Sequence, residues 1–337
     1  ITGASSGIGY ELAKIYAENG YNMVVVARNG DKLEILKKEI FEEISKNIKI
    51  TVIENDLSLE NAAERLYNQV KSEKLKINVL VNNAGVGIYG KFSEFDEETM
   101  KRNDAMINLN IKAVVELTRL FLNDMLKDGN GGILNVSSIA AFMPGPLMST
   151  YYASKAFVQS FTEAVREEVR NDVRGKNIRI SALCPGPTDT GFEKSSNLEE
   201  SSLFERLKVM TAKKVAEIGY KEFQKGKAVI IPGIFNRIAV FGTRFFSRKF
   251  VVLYLSSTSN HNSHLLPHHY LPPPFPTRPK QKRRRTPHAG QKQPRKSAKA
   301  AADYQHNRAP QNFPVSIEKL SYKRIFTIIG ESFSDHL

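Results

Sequence analysis

Thr2-Gly3-Ala4-Ser5-Ser6-Gly7-Ile8-Gly9 is the stretch on which the fold turns. It lies between a strand end and a helix-period segment. In that segment Ile8, Leu12, Ile15 and Tyr16 recur at i, i+4, i+7 and i+8, and Asn19-Gly20 supplies a stop. A turn of this kind at a helix N-terminus can cradle an anion. Gly3 permits a tight turn, Gly7 lets backbone N–H groups approach a pyrophosphate, and Gly9 allows close packing of helix on sheet. The spacing is Gly-x-x-x-Gly-x-Gly, not the commoner dinucleotide form. Taken alone, such a turn also reads as a helix entry with no ligand.

Working outward, short β-branched runs alternate with amphipathic segments as far as residue 255. The strand-like runs are Asn22–Ala27, Lys49–Glu54, Asn78–Val81, Ile133–Val136, Ile178–Leu183 and Ala228–Pro232. Nearly all-apolar strands separated by helices predict a parallel sheet covered on both faces. The expected fold is therefore α/β, a doubly wound parallel sheet of the Rossmann type forming a single domain over residues 1–255. Arg28 follows the first of these runs, 19 residues beyond Gly9. An acidic residue there would bind the ribose 2′-hydroxyl of NAD, whereas an Arg can pair with the 2′-phosphate of NADP. NADP(H) is thus expected in preference to NAD(H).

Tyr151-Tyr152-Ala153-Ser154-Lys155 opens a segment with helical character through about Asn171. Tyr151 and Lys155 stand at i and i+4, on one helix face. A phenol with an ordinary pKa of about 10 is a poor acid or base near neutrality. A neighbouring ammonium and an oxidised nicotinamide ring favour the phenolate and bring it toward working pH. Ser138 lies 13 residues before Tyr151, directly after the buried-looking run ILNV. Ligands gather at such strand ends in open α/β sheets, and a hydroxyl there can steady a developing charge on a substrate oxygen. Ser137 and Tyr152 are the neighbouring alternatives, although Tyr152 has no lysine four residues on.

These residues, with Asn82-Asn83-Ala84-Gly85 and Pro185-Gly186 in the same order, resemble the short-chain dehydrogenase/reductase family over about residues 1–250, looking nearest to its bacterial-type members. The resemblance implies a hydride transfer between NADP(H) and a carbonyl or secondary alcohol, an acyl or other lipid-like ketone being one candidate. Tyr151 would be the general acid/base, assisted by Lys155, Ser138 and Asn110. It implies a cofactor site built from Gly3, Ser5, Ser6, Gly7, Ile8, Gly9 and Arg28, from Asp56 and Leu57 at the adenine, and from Asn83, Ala84 and Gly85 along the cleft. Tyr151 and Lys155 would also touch the cofactor, with Pro185, Gly186, Thr188 and Thr190 near the nicotinamide and pyrophosphate. The Asn110 backbone would hold a water linked to Lys155, with Asn108 as a nearby decoy. A mobile substrate lid is implied at about Thr188–Met210, bounded by Phe192, Leu203 and Phe204. A small-molecule substrate and a homo-oligomer, dimer or tetramer, complete the expectation. The family pattern also places several strand residues before Thr2, so a shortened first strand is expected. The second functional class is a cofactor-binding module with little catalysis, acting through a basic tail.

Composition narrows the chemistry. Six of the seven histidines lie in 256–312 and the other is His336, so no histidine is available for base or metal work in the body. Zinc chemistry and His-dependent hydrolysis are disfavoured, and no metal is expected. The lone cysteine, Cys184, excludes an internal disulfide and reads as a small buried residue. With no spanning run and no charged-then-apolar leader, a cytoplasmic location is expected.

The formal net charge of +14 is concentrated in residues 256–312, which hold 11 Lys/Arg, one acid and nine prolines. That segment is expected to be disordered, and its Lys282-Arg283-Arg284-Arg285 run to be solvated, not bound to nucleic acid. Residues 313–337 regain some apolar pattern, with no role evident. Phe235–Leu255 mixes aromatics with Arg and Lys. It reads as a dimer-facing or core helix, or else as a peripheral membrane helix or the wall of an acyl or sterol pocket.

Overall fold

A computed structural model describes residues 1–192, 196 and 209–259. The chain divides into two units, Ile1–Tyr270 and Leu271–Leu337, and all the described residues belong to the first. The expected segments 260–312 and 313–337 lie outside the described residues, as does most of the expected lid, including Leu203 and Phe204.

The order begins with α1 (Gly7–Glu18), β1 (Met23–Ala27), α2 (Gly30–Glu43), β2 (Ile50–Glu54), α3 (Ala62–Ser72) and β3 (Val79–Asn82). It continues with α4 (Glu97–Ile107), a π-helical turn (Asn108–Lys112), α5 (Ala113–Asp128), β4 (Gly131–Val136), α6 (Ser149–Arg170) and β5 (Ile178–Leu183). Last come β6 (Thr188–Asp189), β7 (Met210–Thr211), α7 (Ala212–Gln224), β8 (Val229–Ile230), α8 (Ile234–Gly242) and α9 (Arg248–Ser259).

Each expected run became a strand, Ile178–Leu183 with its bounds unchanged and the others with ends trimmed, shifted or extended. Asn22 and Lys49 fall just outside β1 and β2, where the Asn22 side chain accepts from the Lys49 N–H at 2.7 Å. Ala228–Pro232 shrinks to Val229–Ile230. The short parallel pair β6–β7 had no periodicity to announce it. Helix α9 runs to Ser259, so residues 256–259, expected to be disordered, complete a helix.

All strand pairs are parallel. β1 pairs with β2 on one side, and β3-β4-β5-β8 form a second, four-stranded block. The two blocks meet across Ile1–Gly3. Thr2 N–H donates to the Val81 carbonyl at 3.0 Å, while Val26 N–H donates to the Ile1 carbonyl at 2.9 Å and Gly3 N–H to the Val26 carbonyl at 2.8 Å. Thr2 forms an isolated parallel bridge with Val26. The path of the chain diverges here, outward through β1 and β2 or through β3 to β8. In open α/β sheets such a switch point opens a crevice at the strand C-terminal ends.

Alternate residues of each strand feed two cores. Val25, Val81 and Leu134 pack with Leu12, Leu36 and Phe223 beneath α1, α2 and α7. Val26, Leu80 and Ile133 pack with Leu66, Leu117 and Phe121 beneath α3 and α5. Strands buried on both faces explain why the sequence shows apolar runs instead of alternation. Polar pairing fixes the central register. Asn82 Nδ2 donates to Asn135 Oδ1 at 2.9 Å, and Asn135 Nδ2 donates to Thr162 Oγ1 at 2.9 Å. Among the described residues no helix is long and apolar enough to cross a membrane.

Candidate active site

The crevice at the switch point is a cavity of about 1180 Å³. Its lining includes Gly3, Ser5, Ser6, Gly7, Ile8 and Arg28 on one side, then Asp56, Leu57, Asn83, Ala84 and Gly85. Ser138, Tyr151 and Lys155 line it too, with Pro185, Gly186, Thr188 and Thr190. Two expected residues do not line it. Gly9 faces Asn83 and the Gly3 carbonyl, where any Cβ would collide, so it serves helix–sheet packing alone. Asn110 is buried behind Gly85 and Lys155.

The glycine turn matches an anion. Gly3 has φ of 66°, and a Cβ there would stand 2.8 Å from the Ala84 Cα. Gly7 has φ of 58°, and its missing Cβ leaves room for Thr190. Ser6 caps α1 without a side-chain hydrogen bond, and no acid occupies the first turn. The free N–H groups at the helix start therefore stay available to a diphosphate. Asn83 ties this turn to the sheet, its Nδ2 donating to the carbonyls of Thr2 at 3.0 Å and Gly3 at 3.1 Å.

Arg28 is exposed on the rim at the end of β1, with Asn29 and Lys32 beside it. Asn29 caps α2 by accepting from the Lys32 N–H at 2.9 Å. Sequence reasoning missed Lys32. A signal existed, because a cation in a first turn opposes the helix dipole and so asks for an anion nearby. On the opposite rim the Asp56 carboxylate accepts from Ser58 N–H at 2.9 Å and from the Ser58 hydroxyl at 2.7 Å.

The polar floor comes from β4, the π-helical turn and α6. Ser137 and Ser138 point opposite ways. The Ser137 hydroxyl is buried and donates to the Lys155 carbonyl at 2.8 Å, which anchors α6. Ser138 Oγ accepts from Ala140 N–H at 3.1 Å, donates to the Pro185 carbonyl at 3.4 Å and lies beside the Tyr151 hydroxyl. Tyr152 has no such partner, and its ring instead fills the space over Gly145. Burial pushes the Tyr151 phenol well up, and the neighbouring Ser138 hydroxyl pulls it part of the way back. Lys155 Nζ donates to the Val136 carbonyl at 3.0 Å and sits 5.8 Å from the Tyr151 ring centroid. Burial lowers the Lys155 ammonium to about 8.

Asn110 lies inside the π-helical turn, a distortion that frequently marks functional positions. Its Oδ1 accepts from Val86 N–H at 3.1 Å, while Nδ2 donates to the Val86 carbonyl at 2.9 Å and to Ser154 Oγ at 3.1 Å. Asn110 therefore clamps the loop that follows Gly85 onto α6. Asn108 makes none of these bonds.

The remaining wall is apolar. Val86, Met143, Met148, Tyr152 and Phe192 line it, with the Phe192 and Tyr151 ring centroids 5.3 Å apart. Phe235–Leu255, read as a dimer-facing or core helix or else as a membrane helix or pocket wall, is two helices joined by a turn, and part of it does wall the cavity. Of α8 only Val240 is buried, whereas Ile238, Phe246, Phe250 and Leu255 line the cavity. Cys184 is buried, donating to Gln159 Oε1 at 2.9 Å. Among the described residues no cluster of His, Cys, Asp or Glu could hold a metal ion.

Known proteins resemble this chain. The chain is 35% identical over 199 residues to a very-long-chain 3-oxoacyl-CoA reductase of Anas platyrhynchos, covering 58% of this chain and 61% of that protein. It is 35% identical over 197 residues to the 17-beta-hydroxysteroid dehydrogenase type 3 of Rattus norvegicus, again covering 58% and 61%. The chain thus spans about three fifths of the length of these curated relatives. The solved short-chain dehydrogenase from Sphingobium yanoikuyae in complex with NADPH superposes with a TM-score of 0.62 at 27% identity, covering 73% of this chain and 92% of that one. The family model described as short chain dehydrogenase matches residues 1–201, which include the glycine turn, the floor and the Tyr151 helix. By that match and the geometry beneath it, the chain belongs to the short-chain dehydrogenase family.

Proposed function

We propose that the protein is an NADP(H)-dependent oxidoreductase acting on a bulky, apolar ketone or the matching secondary alcohol, with Tyr151 as the group that gives or takes the proton. The observation that carries this reading is the buried Tyr151 hydroxyl, beside Ser138 and near the Lys155 ammonium, standing between the glycine turn and an apolar wall. Burial keeps the phenol protonated at neutral pH, which suits it to donate to a carbonyl oxygen. Ser138 steadies the charge developing on that oxygen, and Lys155 supplies a nearby cation. Asn110 ties α6, at Ser154 beside Lys155, to the Val86 loop by the bonds described above. The bound nicotinamide would supply or accept the hydride.

The glycine turn, the uncapped start of α1 and the niche between Gly7 and Thr190 fit a dinucleotide diphosphate. Arg28 and Lys32 on one rim favour a 2′-phosphorylated ribose, hence the preference for NADP(H). The wall of Met143, Met148, Phe192, Phe246 and Phe250 favours a large hydrophobic substrate. The duck and rat relatives are named for an acyl-CoA and a steroid substrate, and both names agree with that shape. Self-association belongs to the same proposal, supported by Phe157, which is exposed on α6 and stacked on Phe161. A cytoplasmic location is also proposed, on the single reduced cysteine.

Tyr151→Phe tests the reading. Turnover of NADPH with a bulky ketone should fall about 1,000-fold, within the range typical of general acid–base catalysis, while NADPH binding persists. Unchanged turnover would overturn the mechanism. No turnover with any ketone or alcohol in the wild-type protein would favour a cofactor-binding module.

A further inference from the structure

Helices α8 and α9 carry a surface that the chemistry does not use. Eight of the fourteen exposed large apolar side chains among the described residues fall between Ile234 and Leu253. Phe246, Phe250 and Ile238 also line the cavity, but Ile234, Phe235, Phe241, Phe245 and Leu253 do not. Phe241 and Phe245 pair edge to face with centroids 5.0 Å apart, forming an aromatic ridge on the outside. Between these apolar groups stand four exposed cations, Arg237, Arg244, Arg248 and Lys249, and residues 234–259 contain no acid.

We infer that α8 and α9 dock the protein on an anionic phospholipid bilayer, lying in the headgroup plane with the Phe241–Phe245 ridge in the acyl boundary. Short amphipathic helices with aromatic residues on one side and Arg or Lys on the other have this behaviour, and neither helix is long enough to span. Charge decides between a bilayer and a second copy of the chain. An isologous contact would set four cations against four cations with no acid in the segment to offset them, whereas anionic headgroups complement all four. The inner face of the same helices forms the apolar wall of the cavity, so an apolar ligand leaving the bilayer meets one continuous surface. The docking itself does not depend on which reaction the site performs.

The chain has no tryptophan, so Phe245→Trp in the full chain places a single reporter on the ridge. Val173→Trp, at an 80% exposed position after α6, is the control. With phosphatidylcholine–phosphatidylglycerol vesicles, the Phe245→Trp protein should shift to the blue and be quenched by lipids brominated in the acyl chain. The Val173→Trp protein should do neither. The triple variant Phe235→Ser, Phe241→Ser, Phe245→Ser should bind these vesicles about 100-fold more weakly, since each exposed Phe brings roughly a five-fold gain on partial burial. Retained NADPH binding shows that this variant is folded. If the triple variant binds as well as wild type, the basic stretch after residue 259 holds the membrane and the inference fails. It fails equally if the blue shift appears without vesicles and grows with protein concentration, which marks a second copy on the ridge.

Discussion

On one side of the cavity, Asn110, Ser137, Ser154 and Lys155 are all buried and joined through hydrogen bonds to Val86, to Val136 and to one another. On the other side, α8 buries Val240 and presents its remaining large apolar residues to the cavity or the outside. The buried network tolerates few changes, because removing one member strands a partner away from water. The side chains of the aromatic wall are apolar, and such a surface can change shape with little loss of fold. One side therefore sets which bond is made, and the other sets what may approach it.

That contrast can be broken in graded steps. The largest effect belongs to Tyr151→Phe, as described above. Lys155→Met should come next, with turnover lowered about 100-fold, and it should also separate function from stability. Burial lowers Lys155 from its ordinary 10.5 to about 8, so between those values the unfolded chain binds more protons and stability rises with pH. Below about pH 8 the full cost of burying the charge is present. Replacing the lysine removes that cost, less roughly 1 kcal/mol for the lost bond to Val136. Urea titrations near pH 7 should show the variant more stable than wild type by roughly 2 kcal/mol, and near pH 10 the gain should have largely gone. A variant less stable at neutral pH would mean that the network, not the charge, governs this position.

Arg28→Ala sharpens the comparison from the rim. The KM for NADPH should rise about 10- to 30-fold while that for NADH changes little, because a charge-assisted contact to a phosphate is worth roughly 1.5–2 kcal/mol. A similar loss with both cofactors would place Arg28 on a group they share. Phe250→Ala on the aromatic wall should have the smallest effect. The KM for a bulky ketone should rise about five-fold, with kcat and the thermal midpoint nearly unchanged. A large drop in midpoint would show that the wall is core after all.

Much of the floor is legible in the sequence, because its parts are local. Tyr151 and Lys155 share a helix face through a four-residue spacing, and the glycine turn is contiguous. The choice of Ser138 over Ser137 came from the family resemblance, and its physical reason needed the fold. Adjacent residues at a strand end point to opposite sides, and nothing in the pair of letters says which side holds α6. The role of Asn110 was equally hidden, since its partners Val86 and Ser154 lie 24 and 44 residues away. Its π-helical turn leaves no pattern that differs from an ordinary helix. Lys32 escapes notice because it lies beyond the strand end that Arg28 marks, inside a helix whose polar face looks ordinary. The alternatives for Phe235–Leu255 stay open in the sequence because apolar composition alone does not say whether a face meets a core, a cavity or solvent.

By itself, the sequence determined the alternation of parallel strands and helices, the anion-binding turn and the Tyr151–Lys155 pair. Each depends on backbone preference or short-range spacing, which a linear chain expresses directly. Only the tertiary structure decided that Ile1–Gly3 join the two blocks of the sheet, that the Ser137 hydroxyl turns to the Lys155 carbonyl, and that the aromatics of α8 and α9 face outward as well as into the cavity. Those outcomes depend on contacts between residues far apart in the chain and on which surfaces remain uncovered once the core has closed.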